Sequence, residues 1–321
     1  MNRFDICLAW SWEFDADFVA LIGASCRRHG LSLVEVTAEN AERMVAAALQ
    51  GQVTFQAFFD RASDVEPQLL PLVRWVTERR LYAVNPFEQA RRSWNKALVY
   101  ERLVRAGLPT PLAITVPSFE EQPELPPVAL ERLGERFVIK PAHGGGGEGV
   151  VTGATSVEQV RAARQSFPTD QTMLQTQVTP RDIDGRPAWF RVIFCRGAVF
   201  PSWWHPESHR YTPVTAYEED RLGLGPLRRL TRAIAVLSEL ELFSTEIALT
   251  SHGRFMVIDY VNEPIDLRLQ SKAADGVPDW IVDDITERLV GRVVADKRRV
   301  LTPRLGVSVP QTRRVPIAYE W

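Results

Sequence analysis

Residues 137–153 read FVIKPAHGGGGEGVVTG: an apolar run ending on Lys140, then His143, four consecutive glycines (Gly144, Gly145, Gly146 and Gly147), and a second apolar run. Glycine lets backbone approach anionic oxygens closely and adopt positive φ, so three phosphate-binding patterns bear on the stretch. Gly144, Gly146 and Gly149 match GxGxxG, and Asp170 falls near where a ribose-binding acid would stand. That fingerprint requires the third glycine to open a helix facing a pyrophosphate, whereas Gly149 opens the β-branched run VVTG. A P-loop needs a lysine and a hydroxyl after the glycines; here Glu148, Gly149 and Val150 follow, and the lysine comes before. There remains a β-hairpin whose glycine tip folds over a triphosphate while Lys140, on the strand below, holds a phosphate oxygen. The plain alternative is a solvated glycine turn, although two or three residues suffice for an ordinary hairpin.

Upstream, FDICLAW, LSLVEVT, VTFQAFF and LYAVN read as strands. Between them, DADFVALIGASCRRHG, AENAERMVAAALQ and EPQLLPLVRWVTERR carry apolar residues at helical spacing. Such alternation predicts a parallel α/β unit ending near Pro86. One long helix, PFEQARRSWNKALVYERLVRAG, follows. The acidic, proline-rich SFEEQPELPPVALERLG reads as a surface connector between two units.

Composition sets the partners. The 321 residues are 45% hydrophobic, enough for more than one core. The 38 basic and 40 acidic residues are interspersed, giving no field to recruit nucleic acid or anionic lipid. Small molecules are the expected partners. Cys7, Cys26 and Cys195 form no CxxC pair or disulfide framework, which points to a reducing, cytoplasmic setting. MNRFDICLAWSW reads as a first strand and not as a signal peptide, and no apolar run is long enough to span a membrane. There is no zinc-type histidine spacing and no GxSxG elbow.

Downstream, MLQTQVTPRDIDGRPAWFRVIFCRGAVF reads as a strand, a polar linker and two strands meeting at CRG. ELELFSTEIALTSHGRFMVIDYVNEP reads as a strand carrying Glu246, a turn at SHG, and a strand ending at Asp259. Magnesium wants oxygen ligands, so carboxylates should converge from adjacent strands. Glu246 and Asp259 can lie side by side; Asn262 would face the other way by period-two alternation unless the strand bulges or ends.

In this order, over about residues 1–290, the motifs resemble the ATP-grasp superfamily, such as D-alanyl-D-alanine ligase, glutathione synthetase and the glutamate-adding peptide ligases. The resemblance implies α/β and α+β architecture: an N-terminal parallel α/β unit (1–86), a central subdomain (87–175), a C-terminal subdomain with the metal site (176–295) and a tail (296–321), the nucleotide lying between the two subdomains. It implies ATP and Mg2+ as cofactors. Lys96 in SWNKALVYERL, followed by AGLPTP, is similar to the lysine that contacts the α-phosphate, and Lys140 to the second phosphate lysine. LQTQV is similar to the adenine segment, with Gln175 meeting the adenine amino group and the backbones of Thr176 and Val178 the purine edge. Thr176 replaces the usual acid. Arg191 is similar to the arginine near the γ-phosphate, and Glu246, Asp259 and Asn262 to the metal ligands, although this chain reads DYVN where the family has Glu-x-Asn.

The activity implied is carboxylate–amine ligation of small molecules or peptides through an acyl phosphate, with a carboxylate and an amine as substrates; a homodimer is one assembly the chain could form. A kinase on the same scaffold, resembling the inositol phosphate kinases, is the alternative; a nucleotide-binding protein without catalysis is a third reading. Trp203, Trp204, His205, His209 and Arg210 in PSWWHPESHRYTP, with Arg191 and Arg268, are candidates for the acceptor pocket, although aromatic clusters beside prolines are as often packing. If the acid pair fails as ligands, Glu263 and Asp266 are the next carboxylates.

Overall fold

A computed structural model describes residues 1–301. The first unit alternates β1 (Asn2–Trp10), α1 (Ala16–Arg28), β2 (Leu33–Val36), α2 (Ala41–Leu49), β3 (Val53–Arg61), α3 (Leu70–Glu78) and β4 (Tyr82–Val84). Its strands pair in parallel in the order β2-β1-β3-β4. Parallel sheets bury both faces. Cys7, Ala9, Phe55 and Phe58 pack with α2 and α3 on one face. Ile6, Leu8, Ala57 and Phe59 pack on the other with Phe18, Val19 and Ile22 of α1 and with α9 (Asp279–Leu301), which supplies Ile281, Ile285 and Leu289.

The helix expected over 86–107 is two helices, α4 (Phe87–Trp94) and α5 (Lys96–Arg105). Asn95 separates them: its backbone is extended (φ −88°, ψ 103°) and its side chain accepts from Leu98 N at 3.0 Å, capping α5. Helical periodicity continues across such a break, so the pattern alone merged the two.

Strands β5 (Ala113–Val116), β6 (Phe137–Pro141), β7 (Val151–Ala154) and, after α6 (Val157–Ser166), β8 (Thr172–Thr176) form an antiparallel sheet in the order β5-β8-β6-β7. β6 and β7 pair directly, Phe137 with Ala154 and Ile139 with Val151, so residues 137–153 are a hairpin and not a crossover. The proline-rich stretch joins β5 to β6 within this one sheet, not two units. The buried Arg164 of α6 holds it, donating to the carbonyls of Pro117 and Ser118 at 3.0 Å.

A short hairpin of β9 (Asp182–Ile183) and β10 (Arg186–Pro187) leads to the third sheet. There β11 (Trp189–Cys195), β12 (Ala198–Trp204), β13 (Tyr211–Pro213), β14 (Leu242–Leu249) and β15 (Phe255–Asn262) run antiparallel in the order β13-β12-β11-β14-β15. Helices α7 (Ala216–Arg221) and α8 (Gly225–Ser238) intervene, and α8 covers one face through Leu227, Leu230 and Ile234 against Phe190, Val192 and Phe243. Ile193, Cys195 and Leu242 on the opposite face join the core of the first unit. The expected tail boundary at 296 falls inside α9, and 302–321 lie outside the described residues.

Candidate active site

Period-two alternation puts Arg191 on the face of Ile193 and Cys195, toward the first unit. Opposite it stands Glu246 and opposite Glu246 stands Asp259, so three charged side chains cross β11, β14 and β15 in one row. Arg191 Nη1 meets Glu246 Oε1 at 3.0 Å, its Nε donates to Ser244 Oγ at 3.2 Å, and Trp189 Nε1 donates to Glu246 Oε2 at 3.0 Å. Trp204 lies under the guanidinium, 4.9 Å from ring centre to Cζ. Burial raises the Glu246 pKa, with Arg191 working against it and Asp259 adding to it. Burial would weaken the Arg191 charge, but Tyr211, Glu246, Asp259 and Asp266 outweigh it and hold its pKa up.

β15 does not end at Asp259; it bulges there and continues to Asn262. Ser244 faces Asn262 while Glu246 faces Asp259, so two steps on β14 match three on β15. The extra residue returns Asn262 to the face of Asp259, and its Nδ2 is buried with no hydrogen-bond partner. A second bulge follows, since Ile247 faces Val257 and Ile258 is left over. The Ile258 carbonyl accepts from Lys140 Nζ at 3.2 Å. Lys140 is 6% exposed and sits 5.3 Å from the centre of the Tyr260 ring. Burial lowers its pKa, with Asp259 opposing. Asp259 and Glu246, its neighbours of opposite sign, act through space, and its direct contacts are a carbonyl and a ring, so the ammonium retains donors for an anion.

The glycine tip, exposed at Gly144, Gly145, Gly146 and Gly147, is tied down at its first residues. Lys96 N donates to Ala142 O at 2.7 Å, and Lys96 Nζ bonds Gly144 O. Asp170 accepts from His143 N at 2.7 Å and meets its Nδ1 at 2.8 Å, while Asn95 Nδ2 approaches His143 Nε2 at 3.3 Å. Asp170 thus anchors the loop. In β8 the buried Gln175 turns its amide to Tyr260 OH at 2.9 Å, away from the strand edge where it was expected to meet a base, and Thr176 N donates to Leu112 O at 2.8 Å. Val178 follows just beyond the strand.

Two of the acceptor candidates are held by partners outside the charged row. Arg210 is exposed in the β12–β13 turn, where its carbonyl accepts from His205 N at 3.2 Å, and the His209 ring stacks on Trp204 at 5.2 Å. Arg268 follows β15, its Nη2 held by Asp266 at 2.7 Å and Asp275 at 2.8 Å beside the exposed Trp12 and Phe14 rings. Glu263 is turned away from the row, bonded by Trp94 and Asn85; burial pushes its pKa up to about 7. Sequence reasoning missed Trp189, Ser244, Tyr260, Asn95 and Trp94. Trp189 and Ser244 share period two with Arg191 and Glu246, and Asn95 carries an N-cap signal; the others depend on pairings distant in sequence.

No family model and no curated protein matches the chain. Solved structures do. D-alanine–D-alanine ligase from Bacillus anthracis complexed with ATP aligns at TM-score 0.63 with 12% identity, over 94% of this chain and 100% of that one. The ATP-grasp ligase PsnB complexed with minimal precursor, Mg and ADP aligns at 0.62 with 14% identity, over 90% and 98%. The D-cycloserine synthetase DcsG aligns at 0.56 with 16% identity, over 90% and 99%. With the parallel unit, the two antiparallel sheets and the glycine hairpin in the same chain, this likeness gives the protein the ATP-grasp fold.

Proposed function

We propose that the chain is an ATP-dependent carboxylate–amine ligase. The row Arg191, Glu246, Asp259, facing the buried ammonium of Lys140, is the observation that carries this reading. Lys96, His143 and the glycine tip would close over the phosphates, with Lys140 on the β- or γ-phosphate and the backbone of Thr176 and Val178 at the adenine. Gln175 would act by fixing Tyr260 beneath Lys140.

The residues fit magnesium. Glu246, Asp259 and Asn262 offer oxygen donors on one face, and the unpartnered Asn262 amide can turn its oxygen inward. A bound magnesium would neutralise phosphoryl charge. A substrate carboxylate oxygen attacks the γ-phosphorus and the bond to ADP breaks; the amine then adds to the acyl carbon, loses a proton and expels phosphate. Arg191 would hold the transferring oxygens, and no protein nucleophile is required. Trp204, Arg210 and Arg268 would border the acceptor. ADP release with pools of amino acids, hydroxy acids and inositol phosphates, followed by mass analysis, tests the reading. An amide product is expected, and a phosphorylated alcohol in its place would overturn it.

A further inference from the structure

Glu263 has no part in the scheme above, yet it lines a small cleft between the first unit and the loop after β15. Both of its hydrogen-bond donors are neutral: Trp94 Nε1 reaches Oε2 at 3.0 Å and Asn85 Nδ2 reaches Oε1 at 3.3 Å. Arg61 borders the same cleft, but its Nε and Nη2 are committed to Asp15, and Nη2 also to the carbonyl of Ile265. A half-buried carboxylate held by neutral donors is costly for stability alone, so what it joins matters.

Each donor leads to a different part of the site. Asn85 pins the start of β14: its Oδ1 accepts from Glu241 N at 2.8 Å and Leu242 N at 3.0 Å, and its Nδ2 donates to Leu242 O at 2.6 Å. The same strand carries Glu246. Trp94 ends α4 and is followed by Asn95 and Lys96, which hold Ala142, His143 and Gly144 of the glycine loop. Glu263 itself follows Asn262. One carboxylate therefore ties the phosphate-loop anchor to both acid-bearing strands.

We propose that Glu263 is a positioning residue that sets the spacing between Lys96 with its glycine loop and the Glu246–Asp259 row, so that both reach one triphosphate. This rests on the nucleotide reading above. Trp94→Phe removes only the indole donor and keeps a ring against Phe87, which now lies edge-on at 5.8 Å. The test is a double-mutant cycle between Trp94→Phe and Lys96→Ala, read as Mg-ATP affinity by calorimetry on the full chain, with melting temperatures alongside.

Lys96→Ala should weaken binding roughly tenfold in the parent, the size of a charge-assisted bond. In the Trp94→Phe background it should cost less than about threefold, because the lysine is already out of place. A purely structural Trp94 would lower the melting temperature and leave the full Lys96 effect intact, and that result overturns the proposal. If Trp94→Phe does not fold, Glu263→Gln replaces it in the cycle with the same two outcomes. A parent chain that binds no Mg-ATP overturns the nucleotide reading itself, whereas binding with additive effects overturns only the role of Glu263.

Discussion

The two sheets that meet at Lys140 contribute on different physical terms. The four-stranded sheet offers an exposed glycine tip held at its base by Lys96, Asn95 and Asp170. The five-stranded sheet offers charges fixed in a cross-strand row, braced by Trp189, Ser244 and Trp204. On the proposed reading the first sheet is a clamp that must admit and release its ligand, which backbone freedom suits. On the same reading the second sheet stabilises a moving phosphoryl group, and half-buried pairs suit charges that must not reorganise. Substitutions in the first should therefore change binding, and in the second turnover.

The sharpest break would come from Glu246→Gln and Asp259→Asn. An amide keeps the size and one acceptor oxygen but loses the charge, so turnover should fall about 10²–10³-fold. Mg-ATP affinity should change little, and excess magnesium should recover part of the Asp259→Asn rate by mass action. Equal turnover in parent and variants at low magnesium would dissolve the contrast.

Lys140 belongs to both sheets, a strand of one bonded to a bulge of the other. Lys140→Ala should weaken ATP by one to two orders of magnitude in calorimetry, from the roughly 1.5–3 kcal/mol of a charged hydrogen bond. Unchanged affinity would make the lysine a structural strut.

Within the clamp, two glycines separate conformation from contact. A Cβ on Gly149 (φ +70°) would stand 2.4 Å from the Phe167 ring, whereas one on Gly146 (φ +64°) meets nothing within 4 Å. Gly146→Ala should cost about 1–2 kcal/mol of left-handed strain at the tip alone. Gly149→Ala adds overpacking of about 1–3 kcal/mol against the end of α6. Thermal melts should show the larger loss for Gly149→Ala; the reverse order would mean the tip, not its base, limits stability.

The smallest effect lies outside both sheets. Burial alone would raise the Glu287 pKa on α9, but bonds from Ser25, His29 and Arg28 draw it from 4.5 to about 2. A depressed carboxyl stabilises fully above its unfolded pKa and loses that contribution as pH falls through its folded one. Melts of the parent should therefore lose a component between pH 4.5 and about 2 that Glu287→Gln lacks. The effect should be modest, since the Glu287 side chain is 42% exposed and solvent screens it. Identical profiles would remove Glu287 from the α1–α9 contact.

Local chemistry was legible in the residues. VVTG after Gly149 specifies a strand because β-branched residues suit a pleated surface, so the hairpin follows without tertiary information. The alternation of periods two and 3.6 in the first 86 residues likewise defines a parallel unit. The α4–α5 break was hidden, since Asn95 stops one helix and caps the next without disturbing the apolar spacing.

What only the tertiary structure decided is which groups share a face and which are already spoken for. Spacing left Asn262 on the wrong side of β15; two bulges, which depend on pairing with β14, brought it beside Asp259 and freed the Ile258 carbonyl for Lys140. Spacing offered Asp170 as a ribose acid, and the fold made it the anchor of His143. A sequence determines the period of its side chains, but register and partnership are set by the other strands, and these arrive from residues far away in the chain.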